Sequence, residues 1–162
     1  MRKLGRDEAS CGTCSSTGRE RAIIRALSVE LFGEVLVLPD FPARPNIRGS
    51  GMTDSGRYAA RLAEKFGYQN TFYHQEPHLD ITMTVATDLA ESHDFIISSE
   101  VFEHIAPPVE RAFENVYKIL RPGGVFILTV PYGLQAATIE HFPELEDFTV
   151  IEEAEEFRAY ET

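Results

Sequence analysis

The pattern of apolar and polar positions is most regular between Asp94 and Tyr132, DFIISSEVFEHIAPPVERAFENVYKILRPGGVFILTVPY. Phe95 to Ser98 is a short apolar run that stops at the polar Ser98-Ser99-Glu100, as a buried parallel strand does when it brings its carboxyl end to a ligand crevice. Pro107-Pro108 opens a segment in which Val109, Ala112, Phe113, Val116, Ile119 and Leu120 recur at spacings of three and four. One face of the resulting helix is therefore apolar and packs on a sheet. Pro122-Gly123-Gly124 ends the helix, and Val125 to Val130 is the next buried strand, closed by Pro131. Strand, loop, helix, turn, strand is half of a doubly wound, mostly parallel α/β sheet.

The front of the chain is less regular. Arg19 to Phe32 carries Ala22, Ile23, Ala26, Leu27 and Leu31 on one stripe and is followed by Gly33, which predicts a helix capping the domain ahead of its first strand. Glu34 to Leu38 is the expected first strand, Ile47 to Gly51 a short second one and Tyr68 to His74 a third, followed by Leu79-Asp80-Ile81. Between the second and third strands, Asp54 to Phe66 places Tyr58, Ala59, Leu62, Ala63 and Phe66 on the buried side of a helix. In this arrangement Gly49 and Gly51 close the second strand, and the first loop is the glycine-free Pro39-Asp40-Phe41-Pro42. Glycines still matter at such a place, because they let backbone approach a cofactor closely.

A chain of 162 residues with 43% hydrophobic content fits one domain, expected over residues 19–162 after an N-terminal segment, 1–18. No apolar run reaches membrane-spanning length, and the charged start MRKLGRDEAS lacks a signal-peptide core. A soluble cytoplasmic protein is expected, with no membrane partner. Of the net charge of −11, residues 140–162 hold nine of the 26 acids and one of the 15 bases. Residues 1–25 lean basic by a slight margin, with six bases against three acids, so a nucleic-acid partner is disfavoured. Cys11-Gly12-Thr13-Cys14 contains both cysteines of the chain. Two thiolates leave a tetrahedral zinc ion half-coordinated, so this is either a free hairpin or half of a zinc knuckle completed elsewhere.

The segments DFIISSEVFEHI and ILRPGGVFILTVP resemble the fourth strand with its active-site loop, and the helix, turn and strand that follow it, in class I S-adenosylmethionine-dependent methyltransferases of the type 11 kind. The resemblance implies a Rossmann-like sheet and S-adenosylmethionine as cofactor. It implies an acid near the end of strand two for the ribose, nearest Asp54, and an acid after strand three for the adenine amine, nearest Asp80, with Ile81 on the adenine face. A carboxylate suits both tasks because it only accepts hydrogen bonds. The cofactor set expected along the crevice is then Asp40, Phe41, Gly49, Gly51, Asp54, Asp80, Ile81, Ser98, Ser99 and Glu100. Asp54 as a helix cap and Asp80 as a turn residue are the competing readings.

If a helical turn begins at Glu100, the spacing of Glu100, Glu103 and His104 puts three ligating groups on one face. The E-x-x-E-H spacing resembles that of small-RNA 2′-O-methyltransferases and ubiquinone-pathway O-methyltransferases, where a divalent cation engages vicinal hydroxyls. His141 is a further candidate ligand. Without a metal, His104 is the first choice of general base, imidazole being the side chain that ordinarily titrates near neutral pH, and Glu100 the second. Tyr132 and His141 are acceptor-side candidates. The acceptor expected is a small molecule, glycan or lipid-linked substrate. Such methyltransferases continue after the fifth strand with a helix and an antiparallel hairpin, which 31 remaining residues scarcely accommodate. Either a homo-oligomer or partner chain covers the exposed sheet edge, or the chain is a shortened member lacking the hairpin and with lowered activity. Two alternatives compete with the enzyme: a non-catalytic methyltransferase-like binding module, suggested by the glycine-free first loop, and a nicotinamide-dependent oxidoreductase, weakened by the lack of G-x-G-x-x-G after a first strand.

Overall fold

Thr17 starts the first helix. Its hydroxyl accepts a hydrogen bond from the Glu20 amide at 3.1 Å while the Glu20 carboxylate accepts from the Thr17 amide at 2.7 Å, a reciprocal capping box. The helix α1 (Gly18–Phe32) ends at Gly33, whose φ of 74° is the left-handed conformation glycine adopts most readily. The computed structural model describes residues 11–133, 136, 137, 148–153 and 156–161. In order they form α1, β1 (Arg44–Met52), α2 (Gly56–Lys65), β2 (Phe66–Thr71), β3 (His93–Ser99), α3 (Glu110–Ile119), β4 (Leu120–Thr129), β5 (Phe148–Glu153) and β6 (Glu156–Glu161).

The first four strands make one parallel sheet in the order β2-β1-β3-β4. Alternate residues of β3 face opposite layers: Phe95 and Ile97 meet Ile23, Leu27, Tyr58 and Leu62 of α1 and α2, and Ile96 meets Met52, Ala112, Val116 and Ile119 on the α3 side. Helices on both faces of a parallel sheet are the expected Rossmann-like class, and the β3–α3–β4 half stands where the apolar pattern placed it. No helix among the described residues is long and apolar enough to cross a membrane.

The front of the sheet differs from expectation. Glu34 to Leu38 is not a strand, and the strand expected to be second is the first and central one, Arg44–Met52. The Ser28 hydroxyl donates to the Glu34 carbonyl at 2.7 Å and accepts from the Leu36 amide at 2.8 Å, occupying backbone groups that a ladder would have needed. Leu38 opens a 3-10 turn, and Val35 and Val37 are exposed. The strand expected to be third is β2, ending at Thr71. β5 and β6 do pair as an antiparallel hairpin, but as a separate two-stranded sheet and not as strands of the main one. On α1, Ile23 and Leu27 face the core, while Ala22 and Ala26 are exposed.

At the start of β3, His93 is buried between two serines. The Ser92 hydroxyl donates to the Leu89 carbonyl, so it accepts from Nδ1 at 2.7 Å; Nε2 therefore accepts from the Ser50 hydroxyl at 2.7 Å. This network holds the imidazole neutral. Burial lowers its pKa below the ordinary 6.5, helped by Arg48 and Arg121 and opposed by Asp94. Because the folded value is the lower one, the stabilisation is complete above about pH 6.5 and is lost as the pH falls from there through the folded value. The urea midpoint should drop on acidification through this window, and His93→Gln should flatten that part of the profile.

Candidate active site

The carboxyl ends of β1 and β3 meet around Met52 and Ser98, which are register partners. Past Met52, Thr53 has a φ of 57° and turns the chain so that Asp54 points inward, before Ser55 caps α2. Asn70 of β2 fixes this corner: its side-chain oxygen accepts from the Asp54 amide at 2.8 Å and its amide donates to the Asp54 carbonyl at 2.9 Å. The Asp54 side chain is 6% exposed. Tyr68 donates its hydroxyl to Oδ2 at 2.6 Å, and the nearby Tyr58 hydroxyl also favours the carboxylate. Oδ1 has no partner among the described residues. Burial raises the Asp54 pKa to about 6 despite the two phenols, and burial beside this carboxylate pushes both tyrosines well above the ordinary phenol range.

Gly49 and Gly51 lie inside β1, not in a loop. A Cβ on Gly49 would land in the Phe95 ring, and one on Gly51 would land on Asp54 Oδ2 and the Tyr68 hydroxyl. Both glycines therefore make room for the protein's own side chains, Tyr68 stacking on Phe95 at 6.0 Å and 12°. The structure thus gives a packing role to two residues expected in the cofactor set. The placement of Asp40 and Phe41 is corrected. They precede β1 and so lie at the amino end of the sheet, where the Lys65 ammonium donates to the Pro39 carbonyl. Phe41 is core, packed against Phe32 and Phe66. A cavity of about 460 Å³ at this end is lined by Phe32, Glu34, Asp40 and Arg44 among others, so it is remote from the crevice.

On the β3 side, Ser98 is fully buried and its Oγ has no partner among the described residues. Ser99 exchanges a 3.0 Å hydrogen bond with Thr129 of β4, and Glu100, at φ 60°, accepts from the Thr129 hydroxyl at 3.3 Å. Arg19 of α1 reaches Glu100 at 3.0 Å. Glu20 pairs with Arg57 at 3.3 Å. Burial opposes ionisation of Glu20, but bonds from the Thr17 amide, Ser55 and Arg57 outweigh it and hold the carboxyl below its ordinary range. The start of α1 is thus fastened both to the β1–α2 loop and to the end of β3. Nothing local in the sequence joined Arg19 to Glu100, 81 positions apart; only the T-x-x-E cap at Thr17 was there to mark where the helix begins.

The expected metal triad does not assemble. Glu100 and Val101 leave helical geometry, and only Phe102–His104 form a 3-10 turn. Glu100 turns to Arg19 and Thr129, while Glu103 lies 3.9 Å from His104, which is 67% exposed. Among the described residues no group of three His, Cys, Asp or Glu converges. Asp80 accepts from the Thr82 amide and hydroxyl at 2.8 and 2.6 Å, the turn role. Ile81 is buried with Met52 and Ile96, and its carbonyl accepts from Asn115 at 2.8 Å. Tyr132 is exposed just past β4. His141 lies outside the described residues.

Residues 53–128 match the family described as "Methyltransferase domain". Over those 76 of its 162 residues the chain is similar to this methyltransferase family. The match runs from the loop after β1 to the end of β4, so it includes Asp54, Ser98 and Glu100 but not Gly49 or Gly51. Two solved structures are similar to this chain. One is the CMeT domain of the citrinin polyketide synthase, at 16% identity over 54% of this chain and 30% of that one, with a TM-score of 0.43. The other is a candidate S-adenosyl-L-methionine-dependent methyltransferase of Methanococcus maripaludis, at 17% identity over 66% of this chain and 54% of that one, with a TM-score of 0.44. The chain thus spans about a third and about half of those two. No curated protein gives a significant match.

Proposed function

We propose that this methyltransferase domain transfers a methyl group from S-adenosylmethionine to a hydroxyl of a small-molecule, glycan or lipid-linked acceptor, at the carboxyl ends of β1 and β3. The supporting observation is the pair of buried, unpartnered polar atoms there, Asp54 Oδ1 and Ser98 Oγ. A buried polar atom without a partner costs about 1–3 kcal/mol, which a ligand hydrogen bond relieves. The ribose hydroxyls and ammonium of S-adenosylmethionine are donors that suit a carboxylate, so the donor set fits the family's cofactor. When bound, that cofactor supplies a methyl group already activated on a sulfonium.

The protein's own work is then positioning and one proton. Asp54 and Ser98 hold the donor side. Glu100 is oriented by Thr129 and Arg19 at the mouth of the crevice and takes the acceptor's hydroxyl proton, with the exposed His104 as the other candidate base. A second reading, binding without transfer, is favoured by the loop after β1: Met52 and Asp54 put buried side chains where a glycine cradle would leave space.

Calorimetry separates these readings. S-adenosylmethionine and its demethylated product should both give heat, and NAD none. Asp54→Asn should weaken both by roughly ten- to a hundredfold, the loss of a charged hydrogen bond of about 1.5–3 kcal/mol. Product binding without methyl transfer to hydroxylic acceptors would select the second reading. Silence with both sulfur ligands would sink the first.

A further inference from the structure

We propose that the loop at 72–79 is the acceptor-recognition element of the crevice, and that the acceptor it takes is a neutral pyranoside laid against the ring of Tyr73. This rests on the proposed transfer at the carboxyl ends of β1 and β3 and narrows its acceptor. The loop leaves the sheet beside Asp54: β2 ends at Thr71, whose carbonyl accepts from the Thr53 amide at 2.8 Å. It returns to the same corner, where Ile81 is buried in one cluster with Met52. Its backbone is closed on itself. The Phe72 amide donates to the Pro77 carbonyl at 2.9 Å, the Leu79 amide to the Phe72 carbonyl at 3.0 Å, and the His78 amide to the Glu76 carboxylate at 3.0 Å. Within this frame the Tyr73 ring meets His74 edge to face, at 4.6 Å between centroids and 82°, and His78 at 6.4 Å and 38°. The two imidazoles fix the ring, and 46% of Tyr73 remains exposed.

A pyranose offers an apolar face of C–H groups and a rim of hydroxyls that both donate and accept. The C–H face suits the electron-rich face of a fixed aromatic ring. The rim suits planar side chains that carry a donor and an acceptor together, which Gln75 does through its amide and His74 and His78 do through neutral imidazole. All three are exposed on this loop. Composition sets the ligand class. Residues 73–78, Tyr-His-Gln-Glu-Pro-His, contain no lysine or arginine and one carboxylate, so a phosphorylated acceptor meets no fixed cation there. They contain no Leu, Ile, Val or Met either, so a flat apolar acceptor has a ring to lie on and no walls around it. A neutral ligand with one apolar face and a hydroxyl rim meets both conditions.

Saturation-transfer NMR on the full chain tests this, with methyl glucoside, methyl mannoside and methyl galactoside as probes and catechol and a hexose phosphate for comparison. Expected is transfer to the C–H protons on one face of at least one pyranoside, and none to catechol or the hexose phosphate at the same concentration. Tyr73→Ala should weaken that pyranoside roughly five- to tenfold, the size of a lost ring contact, with the far-ultraviolet circular dichroism unchanged. Tyr73→Phe, which keeps the ring, should restore it. Binding that ignores Tyr73→Ala, stronger transfer to catechol or the hexose phosphate, or no transfer to any pyranoside would overturn the proposal. Calorimetry with S-adenosylmethionine reads the donor side separately. Heat without a pyranoside signal overturns the loop's role alone, and a pyranoside signal without heat supports the loop while sinking the transfer.

Discussion

Asp54→Asn should make the protein more stable at pH 8 by about 3 kcal/mol and make it a poorer binder. The stability follows from linkage. The folded carboxyl has a pKa of about 6 against the ordinary 3.8, so the unfolded state ionises first and the folded state bears a growing cost as the pH rises between these values. Above about pH 6 the cost is complete, on the order of 3 kcal/mol; below about pH 4 both forms are protonated and the substitution should be nearly neutral. Asparagine keeps an acceptor for the Tyr68 hydroxyl and never ionises. Urea denaturation at pH 4 and pH 8 measures the difference, and equal stability of the two proteins at pH 8 would mean that the carboxylate is not penalised by burial. The His93 effect has the opposite sign, with stability lost on acidification, so its slope is best measured with Asp54→Asn in place. A carboxylate kept at such a cost points to a use in binding.

The second large effect is at Gly49. Its missing Cβ is the space taken by the Phe95 ring, which is fully buried between Tyr68 and Phe66. Gly49→Ala cannot be absorbed by swinging a flexible side-chain end aside, so roughly 3 kcal/mol or more is expected to be lost, at or above the usual range for overpacking. In a chain of this size that is a fall of roughly 6–12 °C in Tm. Phe95→Leu, which opens the same spot, should be destabilising alone yet partly rescue Gly49→Ala. Scanning calorimetry of the double-mutant cycle reads the coupling directly. Strict additivity would show that the glycine answers to something other than this ring.

The half of the fold that could be read in advance is the half where apolar periodicity and punctuation agree. Phe95 to Ser98 and the helix after Pro107-Pro108 stand as expected, while the next strand begins at Leu120 and takes in Pro122-Gly123-Gly124 rather than following it. The front misled because Glu34 to Leu38 has the composition of a strand, while its backbone bonds are taken by the hydroxyl of Ser28, a residue on another element. The true first strand, with two glycines and two arginines, has the composition of a weak edge. It sits at the centre because β2 and β3 flank it and because its glycines admit aromatic neighbours. That one slip moved the crevice's first loop by a whole strand, and so brought Asp40 and Phe41 into the site while giving Asp54 the role of a strand-two acid. The position of Ser98 and Glu100 at the carboxyl end of a strand was legible because a strand's polar end is a local feature. Arg19, Asn70, Tyr58 and Tyr68 were not, since what they do depends on which strands become neighbours.

The fastening of α1 bears on how quickly the crevice can exchange its contents. Arg19 and Glu20 are adjacent residues at the first turn of a fifteen-residue helix, and they hold opposite walls: Glu100 at the end of β3, and Ser55 and Arg57 after β1. Traffic through that mouth requires either a ligand thin enough to pass beneath the helix start or a brief release of both ion pairs at once. If ligand binds at the proposed site, release of both pairs opens that mouth, and because ion pairs near the surface weaken with ionic strength, added salt should speed ligand entry and escape alike.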